Sequence, residues 1–244
     1  MVSNVAQYYL KDEVFFCTDQ DRLFFLDLEH DKYLSLSKEQ SALFKSLVAD
    51  LSLPIGADAK PTRAPSTDLF NSLSKSLAER GILTTIRSSG RKVEETVWPI
   101  ASKNLIESDT KEISDITMSS ISKFIYASFI ASSRLRWQTL DQIVRSHRTR
   151  ENKRRMIDKS PKNEDVRKIV LIFRSLRPIY PRNYLCLYDS LALLEFLSFY
   201  RIYPRWVFGV IADPFHAHCW VEDDGLVYND VTDRVRRYKP IMVV

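Results

Sequence analysis

A chain of 244 residues, 45% apolar and 27% charged, has the make-up of a folded protein with room for one large domain or two small ones. No apolar run reaches the roughly 18 residues that span a bilayer, and Met1-Val2-Ser3-Asn4 does not lead into the basic and apolar regions of a secretory signal. A cytoplasmic protein without membrane insertion is therefore expected. Three cysteines, at positions 17, 186 and 219, are too few for a disulfide scaffold and suit a reducing compartment. Apart from His216, His218 and Cys219 there is no close spacing of Cys and His, so neither a metal nor a cofactor is expected. The net charge of +5 is uneven. Residues 1–90 carry ten Lys/Arg against twelve Asp/Glu, whereas residues 145–182 carry thirteen against four. That basic stretch reads either as a solvated helix face or as a field that steers an acidic partner.

In chain order, residues 13–18 and 23–28 read as strands around the polar turn 19–22, and a third strand covers 32–36. Ser37 followed by Gln40 is a capping-box pattern, which opens a helix over 38–51 with Leu43, Phe44, Leu47, Val48 and Leu51 at helical spacing. A Pro/Gly/Ala-rich loop over 53–65 precedes a second helix at 67–80, ended by Gly81, and a last strand at 82–86. Three strands with two helices in fewer than ninety residues suggest a winged-helix-like module. Residues 91–115 show no lasting periodicity and read as a linker. Ile121, Phe124, Ile125, Phe129 and Ile130 then form an apolar stripe, a charged helix is expected over 135–158, and Val166, Ile169, Val170 and Phe173 mark another over 162–176.

The chemistry gathers in the last sixty residues. Asn183 reads as the N-cap of a helix over 187–200, buried along Leu187, Leu191 and Leu194, which sets Cys186 in its first turn. The unpaired N–H groups and positive potential there favour a thiolate. A strand over 205–212 is followed by 215–222, where period-two counting puts His216, His218, Trp220 and Glu222 on one face. Phe215, Ala217, Cys219 and Val221 fall on the other, so Cys219 is expected to be structural and to point away from His218. A three-residue loop at Asp223-Asp224-Gly225 pairs His218 with Asp230, whereas a two-residue turn pairs it with Val231. The three-residue register gives a nucleophile, base and orienting carboxylate in Cys186, His218 and Asp230.

The segments CLYDSLAL, FHAHCWVE and VYND resemble the transglutaminase-like leader peptidases of lasso-peptide biosynthesis, the B proteins. The resemblance implies Cys186 as nucleophile, His218 as base and Asp230 as third member, with His216 outside the triad. RLFFLDLEHDKYLSLS resembles the PqqD-like element that captures leader peptides, and places leader binding on Lys32, Tyr33, Leu34, Ser35 and Leu36. The expected fold is thus α+β: a winged-helix-like, PqqD-like module at 1–90, then a papain/transglutaminase-like cysteine peptidase domain at 116–244. The implied partners are the leader of a lasso precursor and an asparagine-synthetase-like macrolactam cyclase. No Walker-type loop is present, so no nucleotide site is assigned. Two rival readings use the same residues. A transglutaminase-like acyltransferase would share the triad, and a non-enzymatic winged-helix protein would use the basic stretch on nucleic acid. The acidic balance of 1–90 speaks against nucleic acid as a partner.

Overall fold

The computed structural model describes residues 8–52, 67–105, 116–155, 162–181 and 183–244. The chain divides into two compact units, Met1–Thr96 and Val97–Val244, and each mixes helices with strands. No described helix is long and apolar enough to cross a membrane.

The first unit runs β1 (Tyr9–Lys11), β2 (Val14–Asp19), β3 (Arg22–Asp27), β4 (Lys32–Ser35), α1 (Lys38–Ser52), α2 (Thr67–Glu79), β5 (Leu83–Thr84) and β6 (Gly90–Arg91). Strands β2, β3 and β4 form an antiparallel meander in that order. Gln20 and Asp21 make the first turn, both at positive φ, the twist that matches a two-residue hairpin. The capping box at the head of α1 forms: Gln40 N–H donates to Ser37 Oγ at 3.2 Å, and Ser37 N–H donates to Gln40 Oε1 at 3.2 Å. At the other end of α2, Gly81 takes a φ of 75° and Ile82 N–H reaches back to the Leu77 carbonyl at 2.9 Å, a Schellman ending. Phe16, Phe25 and Phe44 fill the core, the last two edge-to-face at 5.4 Å. The loop expected over 53–65 lies outside the described residues.

The stretch read as a linker is largely structured as far as Leu105. Gly90–Arg91 pairs with β1, Glu95 accepts from Thr18 N–H at 2.7 Å, and residues from Val97 on belong to the second unit. Two-residue pairings leave no alternation to count, which is why the sequence hides them. Gly90 is needed for the contact, since a Cβ there would lie 2.5 Å from that of Tyr9.

The second unit runs β7 (Lys103–Asn104), α3 (Met118–Trp137), α4 (Leu140–Arg155), α5 (Asn163–Leu176), α6 (Cys186–Ser198), β8 (Arg205–Ile211), β9 (His216–Asp223), β10 (Leu226–Val227), α7 (Thr232–Val235) and β11 (Lys239–Val243). Its sheet has the order β11-β8-β9-β10-β7, antiparallel except where β7 meets β10. Helix α6 lies between this sheet and α3 and α5. It is buried on nearly every side from Tyr188 to Leu197, beyond the single stripe its leucines mark in the sequence. The charged helix expected over 135–158 instead breaks at Gln138. Thr139 and Gln142 form a further capping box that starts α4. On α3, Phe124, Ala127 and Ala131 face the core, while Ile125 and Phe129 of the predicted stripe are exposed.

One buried carboxylate joins three of these helices. Glu195 of α6 is 3% exposed, with Arg134 of α3 at 3.0 Å and Arg150 of α4 at 2.7 Å. His147 of α4 lies at 3.6 Å. Burial opposes the charge on Glu195, but the nearby His147 ring and the two guanidinium groups outweigh it and hold the carboxyl down at about 2. Because the folded value is depressed, the stabilisation is complete above the ordinary glutamate range and is lost as pH falls toward 2. Glu195→Gln strands buried cations and should lower the unfolding free energy by roughly 3 kcal/mol in urea titrations at neutral pH. The gap between wild type and variant should narrow on acidification.

Candidate active site

The position of Cys186 is set by how α6 starts. Leu185 is the extended N-cap, and Asp189 N–H donates to its carbonyl at 2.8 Å to close the first turn, so Cys186 is the first helical residue. A backbone N–H at that position has no acceptor within its helix. Asn183 is not the cap. Its carbonyl accepts from Arg177 at 3.1 Å, and the Leu185 N–H is met by the Asp189 carboxylate at 2.9 Å. Arg177, 4% exposed, binds Asp189 through Nε at 2.5 Å and the Tyr180 carbonyl at 3.3 Å, and lies over the Tyr184 ring at 4.4 Å. The guanidinium thereby pins the loop before α6 to its first turn.

His218 sits on β9 opposite Gly209 of β8. A side chain at Gly209 would press on Tyr238 at 2.9 Å and on the Trp220 ring at 3.0 Å. The glycine thus lets these two rings close around the imidazole, Tyr238 at 5.1 Å and Trp220 at 6.1 Å between centroids. Nε2 of His218 lies 2.5 Å from Asp230 Oδ2. With that nitrogen engaged, Nδ1 remains free of Asp230, and the nearness of Cys186 and the imidazole favours the charged form of both.

The carboxylate reaches His218 by a route other than the expected register. Asp223 pairs with Leu226 and Glu222 with Val227, so the turn is the two-residue Asp224-Gly225, both at positive φ. Continued as a ladder, that pairing would bring Val231 opposite His218. The ladder instead stops at Val227. Tyr228 N–H still reaches the Val221 carbonyl at 2.9 Å, and the Asn229 side chain takes the next backbone group, accepting from Val221 N–H at 2.8 Å. The chain then swings into α7 with Asp230 turned onto the imidazole. The other carboxylates near in sequence are placed elsewhere. Glu222, 1% exposed, accepts from Trp98 and Trp220, each at 2.5 Å, and Asp233 lies in the first turn of α7.

Cys219 is buried, in line with expectation. Its side chain does leave the His218 face, but it turns toward α6, where its sulfur lies 3.9 Å from Ser190 Oγ one turn below Cys186. The buried Cys219 thiol is pushed well above its ordinary range, mainly by burial, and so stays protonated and able to donate. The Cys186 thiol falls to about 4. The neighbouring Cys219 side chain favours the thiolate most, burial works against it, and the His218 ring and the Cys219 backbone N–H add to the effect. His218 rises to about 9, since its bonds to Asp230 and Cys186 outweigh burial. Burial also opposes the charge of Asp230, yet its bond to His218 keeps the carboxyl low. These shifts favour a charged Cys186 thiolate and a charged His218 ring, with the Asp230 carboxylate beside the ring.

Of Cys186, His218 and Asp230, which residue counting singled out, the structure sets Asp230 against His218 at 2.5 Å and Cys186 at the first residue of α6. Counting missed Arg177, Asp189, Asn229 and Tyr238. The i, i+4 spacing of Leu185 to Asp189 was the available signal for the loop clamp. Tyr238 carries none, because it depends on β11 returning beside β8. His216 bonds Tyr238 Oη at 2.9 Å, outside the triad. In the first unit, Leu34 packs on the core cluster and Leu36 is 3% exposed, so of the residues singled out on β4, Tyr33 lies on the face opposite Leu34. As metal ligands, Asp27, Glu29 and His30 bring three donor atoms within 4.8 Å of one another. Hydrogen bonds within the turn already engage Asp27 there, to Glu29 N–H at 3.0 Å and His30 Nδ1 at 2.7 Å.

Residues 129–243 match the model of the transglutaminase-like superfamily, so the chain carries a transglutaminase-like domain at its C-terminal end. Such domains are typically cysteine-dependent enzymes, and the superfamily includes both peptidases and acyltransferases. No curated protein and no solved structure gives a significant match to the chain.

The pair fixes a pH profile. Alkylation of Cys186 by iodoacetamide should rise as pH passes about 4 and stay high through neutrality. Turnover needs the imidazolium as acid, so it should fall again as pH passes about 9. Cys219→Ala should move the acid limb upward, because it deletes the largest stabiliser of the thiolate. Mass spectrometry of labelled protein across pH checks both, and faster labelling of Cys17 or Cys219 than of Cys186 would contradict the assignment.

Proposed function

We propose that this protein is a cysteine peptidase that removes the leader from a lasso-peptide precursor and frees the core N-terminus for macrolactam closure by an asparagine-synthetase-like partner cyclase. The observation that carries the proposal is the line Cys186–His218–Asp230 at the head of a buried helix, in a domain that matches the transglutaminase-like superfamily. The Cys186 thiolate attacks the last leader carbonyl. His218, held by Asp230, gives its proton to the departing amine, which leaves a thioester on Cys186. The Cys186 N–H, free of its helix, is the first oxyanion donor. His218, now neutral, takes a proton from water, and hydrolysis restores the thiolate and releases the leader.

In this reading, Met1–Thr96 is the PqqD-like, winged-helix-like capture module. Strand β4 is the outer strand of its meander, so Lys32, Tyr33, Leu34, Ser35 and Leu36 can take an extended leader as a further strand through backbone bonds. Tyr33 supplies the side-chain pocket, since Leu34 and Leu36 are turned into the core.

Incubation of full-length protein with a precursor peptide, read by intact mass, tests the activity. Cys186→Ala and His218→Ala should each lower cleavage by ~10³-fold or more, and Asp230→Asn should leave less activity than His216→Ala. Added hydroxylamine separates water from amine as acceptor; products in which an amine displaces water throughout would replace the peptidase by an acyltransferase. Labelled leader should bind full-length Cys186→Ala with micromolar-scale affinity, about 8 kcal/mol. Charge reversal at the open edge, as in Lys32→Glu with Ser35→Pro, should abolish that binding without changing alkylation of Cys186 in the same substitutions made on wild type.

A further inference from the structure

A cavity of about 520 Å³ opens beside the triad, bounded by α5, Tyr184, the first turns of α6 and the segment from Asn229 to Arg234. Two of its walls belong to the catalytic apparatus. Asp230 holds His218, and Asp189 caps the helix that presents Cys186. Its floor is apolar, with Val170, Phe173 and Leu193 all buried. Its charged groups are three arginines and two aspartates, and their pairing is uneven. Arg177 and Asp189 neutralise each other at 2.5 Å. Asp230 is shared between His218 at 2.5 Å and Arg234 at 3.4 Å. Arg174, exposed on α5, has no carboxylate partner among the described residues. The cavity therefore offers an apolar floor with an excess of positive charge at its rim, and a cleft of that build concentrates anions.

We infer that this cavity is a substrate subsite for a peptide side chain bearing a carboxylate, an aspartate or a glutamate, held by Arg174 with Arg234 beside it. The inference rests on the thiol chemistry proposed above and adds the substrate class that the site selects. A guanidinium presents a planar fork that matches a carboxylate in two parallel bonds, which sets an acidic side chain apart from its amide. The methylenes of a glutamate would lie on Val170, Phe173 and Leu193, and its carboxylate would meet Arg174 at the rim. A neutral side chain of the same shape would gain the floor alone.

Two affinity reagents test this without knowledge of the natural substrate. Chloroacetyl-Gly-Glu-amide and chloroacetyl-Gly-Gln-amide each form a C–S bond at Cys186 with loss of chloride, and they differ by one charge. Rates of labelling of full-length protein are divided by the iodoacetamide rate of the same variant, which removes differences in thiol reactivity. The glutamate reagent should react about five-fold faster at low salt, the upper end of what an exposed ion pair contributes. That preference should fade as salt rises to ~0.5 M. Arg174→Gln should bring the ratio to about one, and Arg174→Glu should invert it. Lys168→Gln, on the same helix but outside the cavity, should leave it unchanged. Equal rates for the two reagents on wild type, or a preference that survives Arg174→Gln, would overturn the subsite while leaving the nucleophile in place. A Cys186 that resists iodoacetamide altogether would overturn both the subsite and the peptidase reading.

Discussion

The bond between Arg177 and Asp189 sets where helix α6, and with it Cys186, begins. An N-terminal cysteine on a helix is useful when the helix begins at a fixed residue and the loop before it stays clear of the sulfur. Here the loop has no side-chain cap of its own, and Leu185 supplies none. Asp189 reaches back from within the helix to hold the Leu185 N–H, and Arg177 holds Asp189 and two loop carbonyls at once. Burial raises the pKa of Asp189, and Arg177 offsets part of that rise. Two ions that would be costly apart become a clamp when paired. The same clamp ends at the cavity wall, so Cys186 and that wall are positioned by one interaction.

A thiolate half-buried in protein needs donors, and this site draws them from an unexpected direction. The imidazolium is the partner that a triad leads one to look for. The strand beneath the helix contributes as much, through the thiol and the backbone N–H of Cys219. Ser190 links the two layers, donating to the Cys219 carbonyl at 3.3 Å and accepting from Asn229 Nδ2 at 2.9 Å. Asn229 in turn holds the strand end that delivers Asp230. Cys219, Ser190 and Asn229, with Asp230 next in the chain, therefore form one connected polar network one turn along the helix from Cys186.

The sequence revealed those elements whose signals are local. The meander, α1 with its capping box, α5 and the paired strands β8 and β9 lie within a residue or two of their expected ends, because alternation, caps and Gly81 are written in neighbouring residues. The break between α3 and α4 was equally local, in Thr139 and Gln142, and was passed over because charge continues across it. Strands β1, β6, β7 and β11 could not be read, since pairing partners far along the chain define them. The site divides the same way. Cys186 and His218 follow from helix-start chemistry and strand alternation. Asp230 was reached through a register that the protein does not use, and Cys219 was assigned to one face of a strand without knowledge of what lay against that face.

The end of the β9–β10 hairpin has a consequence for how related chains are to be found. Asp230 is not delivered by counting residues around a turn. It follows Asn229, and Asn229 is fixed by its bond to the Val221 backbone, within a ladder that the pairing of Asp223 with Leu226 already sets. Residues added between Asp223 and Leu226 would lengthen the loop and leave those pairs alone. The distance in sequence from histidine to aspartate is therefore free to drift between relatives, whereas the adjacency of the asparagine and the aspartate is not. A search keyed to a set spacing after the histidine would pass over such relatives. One keyed to an Asn-Asp step just beyond a short return strand would retain them.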